Sequence, residues 1–186
     1  MDFQDNIQEI LISEEKLQEI VASLAEQISR DYANKNLLLV CILRGSVVFT
    51  GDLMKKLTIP AQVDFMKVSS YGSETTAGVL KVHLDLHRDD LDSKDVLILE
   101  DCIDTGRTLG AMSRYLKGKG CRSVKTCALL DKPSRREVTF TPDYVGCEVP
   151  NAFVVGYGLD YDEDYRTLPY IAILKPSAYQ NEVNLI

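Results

Sequence analysis

The sequence has 186 residues, a formal net charge of -7 and 45% hydrophobic residues. This length predicts one domain with a sizeable core. The acidic balance argues against nucleic acid as a main partner, because nucleic-acid binding relies on a basic surface. The first ten residues, MDFQDNIQEI, lack the apolar core of a signal peptide, and no apolar run approaches the roughly 18 residues of a membrane helix. The five cysteines form no CxxC pair, so we expect a cytoplasmic protein without membrane contact or a disulfide framework.

Helical and strand-like patterns alternate in the first half of the chain. Ser13 precedes two glutamates and has the character of a helix N-cap, and apolar residues then recur at helical spacing as far as Ile28. The apolar run Leu37–Leu43 is typical of a strand that is buried on both faces. We further predict a short helix at Val47–Leu57, strands at Ala61–Val68 and Val79–Leu86, and a mobile polar loop at Ser69–Gly78.

The second half continues this alternation. A second buried strand at Val96–Leu99 leads through a turn into a predicted helix at Thr108–Lys117. Further strands are predicted at Val124–Leu130, Tyr144–Val149, Phe153–Val155 and Tyr170–Leu174. This order of elements predicts an α/β fold with a mostly parallel sheet. Ligands of such sheets bind beyond the carboxyl ends of the strands, where this chain carries Arg44–Ser46, Glu100–Gly106 and the turn after Leu130.

The stretch VLILEDCIDTGRTLG, Val96–Gly110, combines a strand with three acids and a turn of small residues. Gly106 permits close backbone approach, and the free N–H groups of the following helix favour an anion such as a phosphate monoester. The same turn also suits a plain helix cap at Asp104 or Thr105. Glu100 and Asp101 would repel each other and lose hydration at the strand end unless Mg²⁺ or sugar hydroxyls accept them. The stretch therefore predicts a site for a phosphorylated sugar and its metal.

The segment EDCIDTGRTL resembles the phosphoribosyl diphosphate motif of type I phosphoribosyltransferases. The other motifs that carry the resemblance are LRGS (Leu43–Ser46), SSYG (Ser69–Gly72), LLDKPSRREV (Leu129–Val138) and FVVGYGLDYDEDYR (Phe153–Arg166). Their order is that of the 6-oxopurine branch, which includes the bacterial hypoxanthine phosphoribosyltransferases. The resemblance implies a three-layer α/β fold in one domain over residues 1–186. In that fold, helices flank a mostly parallel central sheet, the N-terminal and C-terminal segments form a small hood, and a flexible loop closes the site.

Members of this family transfer a 5-phosphoribosyl group from phosphoribosyl diphosphate to a purine in salvage metabolism, and they release diphosphate. The resemblance implies Mg²⁺ as cofactor, a 6-oxopurine base as acceptor, and a homodimer or homotetramer. It also implies that Glu100 and Asp101 bind Mg²⁺ and the ribose hydroxyls, and that Asp104 is the general base that takes a proton from the purine ring. The implied ligands of ribose and the 5′-phosphate are Glu100, Asp101, Asp104, Thr105, Gly106, Arg107 and Thr108.

The remaining roles come from the other motifs of the family. Arg44, Gly45 and Arg166 are implied to bind diphosphate. Ser70 and Tyr71 belong to the implied closing loop. The implied purine ligands are Lys132, Phe153, Val154 and Asp160. Lys132 is implied to donate to the 6-oxo group, Phe153 to stack on the ring, and Val154 to offer its backbone. Asp160 is also implied to hold a second Mg²⁺. The neighbouring acids Asp162, Glu163 and Asp164 have no implied role, and we expect a solvated acidic turn there.

Two alternative functions stay open. One is a transferase that prefers guanine or xanthine, because Cys102 and Ala152 differ from residues that are common in the family beside the purine. The other is a nucleotide-binding regulator on the same fold, although all three acids of the central motif are present. No GxGxxG follows a strand and no GxxxxGK[ST] occurs, so the motifs of dinucleotide-binding enzymes and P-loop kinases are missing.

Overall fold

The structure is a computed structural model that describes residues 3–71 and 79–179. Within this part of the chain, no helix is both long and apolar enough to cross a membrane. The helices and strands are β1 (Ile7–Ile12), α1 (Glu14–Asp31), β2 (Leu37–Ile42), α2 (Val47–Lys56), β3 (Ala61–Tyr71), β4 (Val79–Leu84), β5 (Asp95–Ile103), α3 (Arg107–Gly118), β6 (Ser123–Asp131), β7 (Tyr144–Glu148), β8 (Val154–Val155), β9 (Ile171–Leu174) and α4 (Pro176–Tyr179).

A six-stranded sheet forms the centre of the fold, in the order β4-β3-β2-β5-β6-β7. All neighbouring pairs are parallel except β3 and β4. Every residue of β2 is buried, because helices cover both faces of the sheet. Residues of α1 and α2 share one apolar core with this sheet, and residues of α3 share a second core on the opposite face. The predicted three-layer α/β arrangement with a mostly parallel sheet is therefore confirmed.

Helix α1 shows how the apolar spacing of the sequence produces this layer. Leu17, Val21, Leu24 and Ile28 form its buried stripe. Burial of each such side chain contributes about 1.5–3 kcal/mol. The predicted N-cap is also present, since Ser13 Oγ accepts a hydrogen bond from the Lys16 amide at 3.2 Å.

A second, three-stranded sheet has the order β1-β9-β8 and is antiparallel. It pairs the beginning of the chain with its end, for example Ile7 with Leu174. Strand β1 was not among the predicted strands. Its exposed and buried positions do not alternate, because register shifts interrupt its pairing with β9.

Two predicted strand ends at the carboxyl edge of the main sheet differ from the structure by more than one residue. Strand β5 continues through Glu100 and Asp101 to Ile103, so the two acids lie within the strand. Strand β3 extends to Tyr71, where its backbone pairs with Val79. The predicted loop at Ser69–Gly78 is therefore wrong for its first three residues, since the backbone ladder of β3 and β4 continues over them. The remaining loop residues, 72–78, lie outside the described residues.

Candidate active site

The acid pair Glu100 and Asp101 lies at the carboxyl end of β5, between β2 and β6. Glu100 Oε2 is buried and has no hydrogen-bond partner within the described residues. Burial, followed by the charge of Asp101, raises the pKa of Glu100 well above its usual range. Burial also raises the pKa of Asp101, although its Oδ1 accepts a hydrogen bond from the Cys102 amide at 2.7 Å. Two adjacent, largely enclosed carboxyl groups that form no ion pair with a basic side chain of the described residues favour either a retained proton or a bound cation.

The loop between β2 and α2 packs directly against this pair. A Cβ atom on Gly45 would lie 1.6 Å from Asp101 Oδ2, so only glycine fits there while the carboxylate keeps its position. The Leu43–Arg44 peptide bond in the same loop is cis. Gly158 adopts a positive φ of 101° and packs on the Gly45 carbonyl, which a Cβ at position 158 would approach to 2.1 Å. Three segments that are distant in sequence therefore pack in succession, Gly158 on Gly45 and Gly45 on Asp101.

The turn between β5 and α3 forms a concave backbone surface beside the acids. Gly106 has φ 80° and is the N-cap of α3, whose first amides are free of intrahelical partners. Thr105 Oγ1 accepts a hydrogen bond from the Arg107 amide at 3.3 Å. A small cavity of about 130 Å³ lies here, lined by Glu100, Cys102, Ile103, Asp104, Thr105, Gly106, Thr108 and Leu109. The arrangement suits an anion at the helix N-terminus, and Glu100 of the acid pair lines the same cavity.

Asp104 is held by the segment that follows β6. Arg135 Nε donates to Asp104 Oδ1 at 3.3 Å, and Arg136 Nη1 donates to the Asp104 carbonyl at 2.7 Å. Arg136 also forms an ion pair with Asp131 at the end of β6. Neither arginine was predicted to have a role, although both lie in the LLDKPSRREV motif. Their position next to a charged turn at the same sheet edge was the signal that could have identified them.

A larger cavity of about 620 Å³ opens beside the acids. Six of its lining residues were predicted site residues: Asp101, Asp104, Lys132, Phe153, Val154 and Asp160. Cys102 and Ala152 also line it, so both departures from the common family residues face the same space. The cavity combines an apolar wall with a few polar groups, as small-molecule sites do.

Phe153 forms the aromatic wall of this cavity, with 36% of its surface exposed. Tyr161 meets its edge at a centroid distance of 5.4 Å, and Tyr179 of α4 stacks on it at 5.0 Å and 29°. Aromatic pairs at such distances stabilise ring orientation. Tyr179 was not predicted as a site residue, because nothing in its local sequence indicates that α4 reaches the cavity.

The predicted diphosphate ligands meet at an acidic side chain. Arg44 forms an ion pair with Glu163, and Arg166 Nη2 lies 3.5 Å from the same Glu163 oxygen. Arg166 also donates to the Gly158 carbonyl at 2.9 Å and pairs with Asp160 at 3.0 Å. The acidic turn is exposed, as predicted, but Glu163 contacts both arginines and is more than a solvated residue.

Comparison with known proteins identifies the family. The family model "Phosphoribosyl transferase domain" matches residues 8–162. The chain belongs to the phosphoribosyltransferase family. A Hypoxanthine-guanine phosphoribosyltransferase of Staphylococcus aureus is 44% identical over 179 residues, which are 95% of this chain and 99% of that protein. A Bifunctional protein TilS/HprT of Listeria innocua is 48% identical over 176 residues, which are 94% of this chain and only 27% of the length of that relative.

Solved structures agree with this phosphoribosyltransferase assignment. A crystal structure of a hypoxanthine phosphoribosyltransferase from Staphylococcus aureus has a TM-score of 0.92 at 42% identity, with 97% of this chain and 98% of that chain covered. A hypoxanthine phosphoribosyl transferase from Trypanosoma cruzi has a TM-score of 0.90 at 37% identity, with 96% and 97% covered. The type I phosphoribosyltransferase fold is therefore confirmed over nearly the whole chain.

In this member of the phosphoribosyltransferase family, the predicted site residues fall into three neighbouring groups. One surrounds the small cavity, a second lines the large cavity, and the arginines of the third meet at Glu163. The Arg107 side chain pairs with Glu137 at 2.7 Å, and the Arg107 amide donates a hydrogen bond to Thr105 Oγ1. The side chains of Ser70 and Tyr71 lie outside the described residues.

Proposed function

We propose that this chain is a hypoxanthine-guanine phosphoribosyltransferase of purine salvage. It transfers the 5-phosphoribosyl group from phosphoribosyl diphosphate to hypoxanthine or guanine and forms IMP or GMP and diphosphate. The observation that carries this proposal is the position of the buried acid pair between an anion cradle and a cavity with Lys132 and Phe153. The printed names of the relatives supply the substrate class.

Mg²⁺ fits the acid pair as cofactor. Within the described part of the chain, no group of three or more acidic, histidine or cysteine side chains forms a metal cage. Mg²⁺ does not require one, because it keeps several waters and substrate oxygens and uses one or two carboxylates. The unpartnered Glu100 Oε2 is a free acceptor beside Asp101, so these two residues would hold the ion or its waters. When bound, Mg²⁺ neutralises charge on the diphosphate leaving group.

Asp160 is the proposed ligand of a second Mg²⁺ and lies in the large cavity. Its two oxygens already have partners, since Oδ1 pairs with Arg166 at 3.0 Å and Oδ2 accepts from the Glu163 amide at 3.0 Å. A cation at Asp160 would therefore share this carboxylate with Arg166.

The acids stabilise the sugar as diphosphate leaves. Positive charge develops on the ribose ring, and Glu100 and Asp101 provide negative charge in a buried setting where it acts strongly. We propose that the turn residues Asp104, Thr105, Gly106, Arg107 and Thr108 bind the 5′-phosphate through their amides and hydroxyls. Arg107 contributes chiefly its amide, because its side chain pairs with Glu137.

Asp104 is the proposed general base. It lines both cavities, so it reaches the space between the sugar and the purine. Carboxylates are weak bases at neutral pH, so proton transfer from the purine ring is expected late in the reaction. Arg135, which bonds Asp104 Oδ1, orients the carboxylate before the substrate enters.

The large cavity binds the purine. Lys132 donates to the 6-oxo group, Phe153 stacks on the ring, and Val154 offers its backbone to the purine edge. An amino group at position 6 would present donors to the Lys132 ammonium, so adenine is rejected. A site that depends on such a hydrogen bond can discriminate by about 10⁴–10⁵-fold.

We propose that diphosphate is bound between the loop that joins β2 and α2 and Arg166. Arg44 and Arg166 supply guanidinium groups that match phosphate oxygens, and Gly45 brings its backbone close to Asp101. Ser70 and Tyr71, at the end of β3, begin the proposed closing loop that excludes water from the sugar cation.

We further propose a homodimer or homotetramer that acts in the cytoplasm, as one domain whose hood is the three-stranded sheet. Val47 and Met54 lie seven residues apart on α2 and are 45% and 49% exposed, so they share one helix face with an apolar surface suited to a subunit contact. The cysteines of the described residues are free thiols, in keeping with a reducing compartment.

A guanine- or xanthine-preferring transferase is the second candidate. Cys102 and Ala152 both line the large cavity, and we propose that they influence the preference among hypoxanthine, guanine and xanthine. Competing substrates in one assay distinguish the two candidates.

The proposed function is tested with purified protein, phosphoribosyl diphosphate and Mg²⁺. Nucleotide formation is measured with hypoxanthine, guanine, xanthine and adenine, each with and without a chelator. We expect IMP and GMP to form only with free Mg²⁺, and adenine to be used at least about 10⁴-fold less efficiently. Activity with neither hypoxanthine nor guanine would refute the proposal, and xanthine as the best substrate would favour the second candidate.

A further inference from the structure

We propose that Glu163 is an internal anion that occupies the diphosphate site between turnovers and competes with diphosphate for Arg44 and Arg166. This inference rests on the proposed function, since it assigns those two arginines to diphosphate. It adds a residue that governs how tightly diphosphate is held and how readily it leaves.

The contacts of Glu163 place one carboxylate oxygen between two guanidinium groups. Glu163 Oε2 forms an ion pair with Arg44 Nη1 and lies 3.5 Å from Arg166 Nη2. A phosphate oxygen would make the same kind of contact, because guanidinium groups bind carboxylates and phosphates through similar donor geometry. Glu163 therefore occupies an Arg44 donor in place of a phosphate oxygen. It shares Arg166 Nη2 with Asp160, whose Oδ1 lies at 3.0 Å.

The backbone of the turn holds the Glu163 side chain in this place. Glu163 has φ 67°, in the left-handed region, and its amide donates to Asp160 Oδ2 at 3.0 Å. The Asp164 amide closes the turn on the Tyr161 carbonyl at 3.0 Å. On the other side, Arg166 is tied to the Gly158 carbonyl, and Gly158 packs on Gly45 of the diphosphate loop. The acidic turn and the diphosphate loop thus face each other through fixed contacts.

Solvent exposure makes this bridge easy to exchange. The side chains of Arg44 and Glu163 are 54% and 65% exposed. Ion pairs in such surroundings are weak, because water screens them and ordering long side chains costs entropy. The multiply charged diphosphate can displace Glu163, and Glu163 can return to the arginines as diphosphate leaves. Loss of the Glu163 charge should therefore strengthen diphosphate binding.

The test compares two variants that remove one negative charge from the same turn. Glu163→Gln removes the competing carboxylate. Asp162→Asn is the control, because Asp162 is exposed and, within the described residues, its carboxylate has no hydrogen bond or ion pair. Asp162 also has a positive φ of 51°, which asparagine tolerates well.

Binding of inorganic diphosphate is measured by calorimetry at fixed Mg²⁺ and fixed ionic strength. We expect Glu163→Gln to bind diphosphate about 2- to 5-fold more tightly than the unaltered protein, the range that displacement of one exposed ion pair allows. Asp162→Asn should bind as the unaltered protein does. In steady-state kinetics, Glu163→Gln should lower KM for phosphoribosyl diphosphate and strengthen product inhibition by diphosphate by similar factors. KM for hypoxanthine should not change.

Three results would overturn the inference. If both variants bound diphosphate more tightly by the same factor, the cause would be the overall charge of the turn. If Glu163→Gln bound diphosphate as the unaltered protein does, no competition would occur. Weaker binding in Glu163→Gln would mean that Glu163 holds the arginines ready for the ligand. If the unaltered protein bound no diphosphate, the proposed function would fail together with the inference, whereas the first three results leave that function intact.

Discussion

Gly45 and Asp101 lie so close together that a Cβ on Gly45 would be 1.6 Å from Asp101 Oδ2. A side chain on residue 45 and the Asp101 carboxylate would therefore compete for the same space. The size of residue 45 determines where the carboxylate lies. In the proposed reaction this contact links the diphosphate loop to the ribose and Mg²⁺ ligands.

Replacement of Gly45 by alanine should displace the Asp101 carboxylate, since the two atoms cannot occupy the same space. We expect kcat/KM for phosphoribosyl diphosphate to fall by at least about 10²-fold, the effect of misplacing a reacting group by about 1 Å. Steady-state kinetics at saturating hypoxanthine measures this change.

Gly51→Ala is the matched control for this substitution. Gly51 lies within α2, and a Cβ there would have no atom within 4 Å. This variant should keep full activity and gain about 0.5–1 kcal/mol in the free energy of unfolding, because alanine favours a helix interior over glycine. Full activity in Gly45→Ala would show that the tight contact with Asp101 is not required.

The main sheet could be predicted from the sequence because its signals are local. The all-apolar Leu37–Leu43 and Val96–Leu99 runs give β2 and the centre of β5, and the Ser13 cap gives the start of α1. Strand β1 could not be predicted, because its existence depends on pairing with β9 about 160 residues later in the chain. The extension of β3 to Tyr71 depends in the same way on its partner β4.

The candidate site was predictable in its residue types but not in its contacts. The motif around Glu100 and Asp101 indicated a buried acid pair beside an anion cradle. The packing of Gly45 on Asp101 and the bridge from Glu163 to Arg44 both join residues more than 50 positions apart. Such contacts follow from how the strands are ordered in the sheet, which local composition does not specify.

Asp104→Asn tests the proposed general base. Asparagine preserves the size of the side chain and removes its basicity, so kcat should fall by at least about 10²-fold. The affinity for IMP, measured by calorimetry, is the control and should change little. Unchanged turnover would remove Asp104 from proton transfer, and a parallel loss of IMP binding would assign it to the phosphate cradle alone.

Lys132→Ala tests recognition of the 6-oxo group. Without the ammonium, the purine oxygen loses its donor, and kcat/KM for hypoxanthine and guanine should fall by about 10²-fold or more while that for adenine does not fall. Lys117→Ala, at an exposed position of α3, is the control and should retain the selectivity of the unaltered protein. The same loss for all three purines would contradict a specific contact with the 6-oxo group.

Asp95, the first residue of β5, allows a prediction of how the free energy of unfolding depends on pH. Hydrogen bonds from Arg122 and then Ser123 lower the pKa of this carboxyl, although burial acts in the other direction. Because the folded-state pKa lies below the unfolded value near 3.9, the stabilisation is present above about pH 4 and is lost as pH falls through the folded-state pKa.

Asp95→Asn should therefore lower the free energy of unfolding by about 1–3 kcal/mol at pH 7, and by progressively less below about pH 4. Urea-induced unfolding at several pH values measures this. Asp92→Asn, at an exposed position of the preceding 3-10 helix, should have little effect at any pH. If Asp95→Asn lowered the free energy of unfolding by the same amount at every pH, the carboxyl would contribute through packing and not through its charge.

The most direct test of the whole account is a crystal structure of the protein with IMP bound. We predict the phosphate on the Thr105–Thr108 amides, the ribose hydroxyls against Glu100 and Asp101, and the purine on Phe153 with its oxygen at Lys132. Nucleotide density that lies away from the turn between β5 and α3 would contradict it.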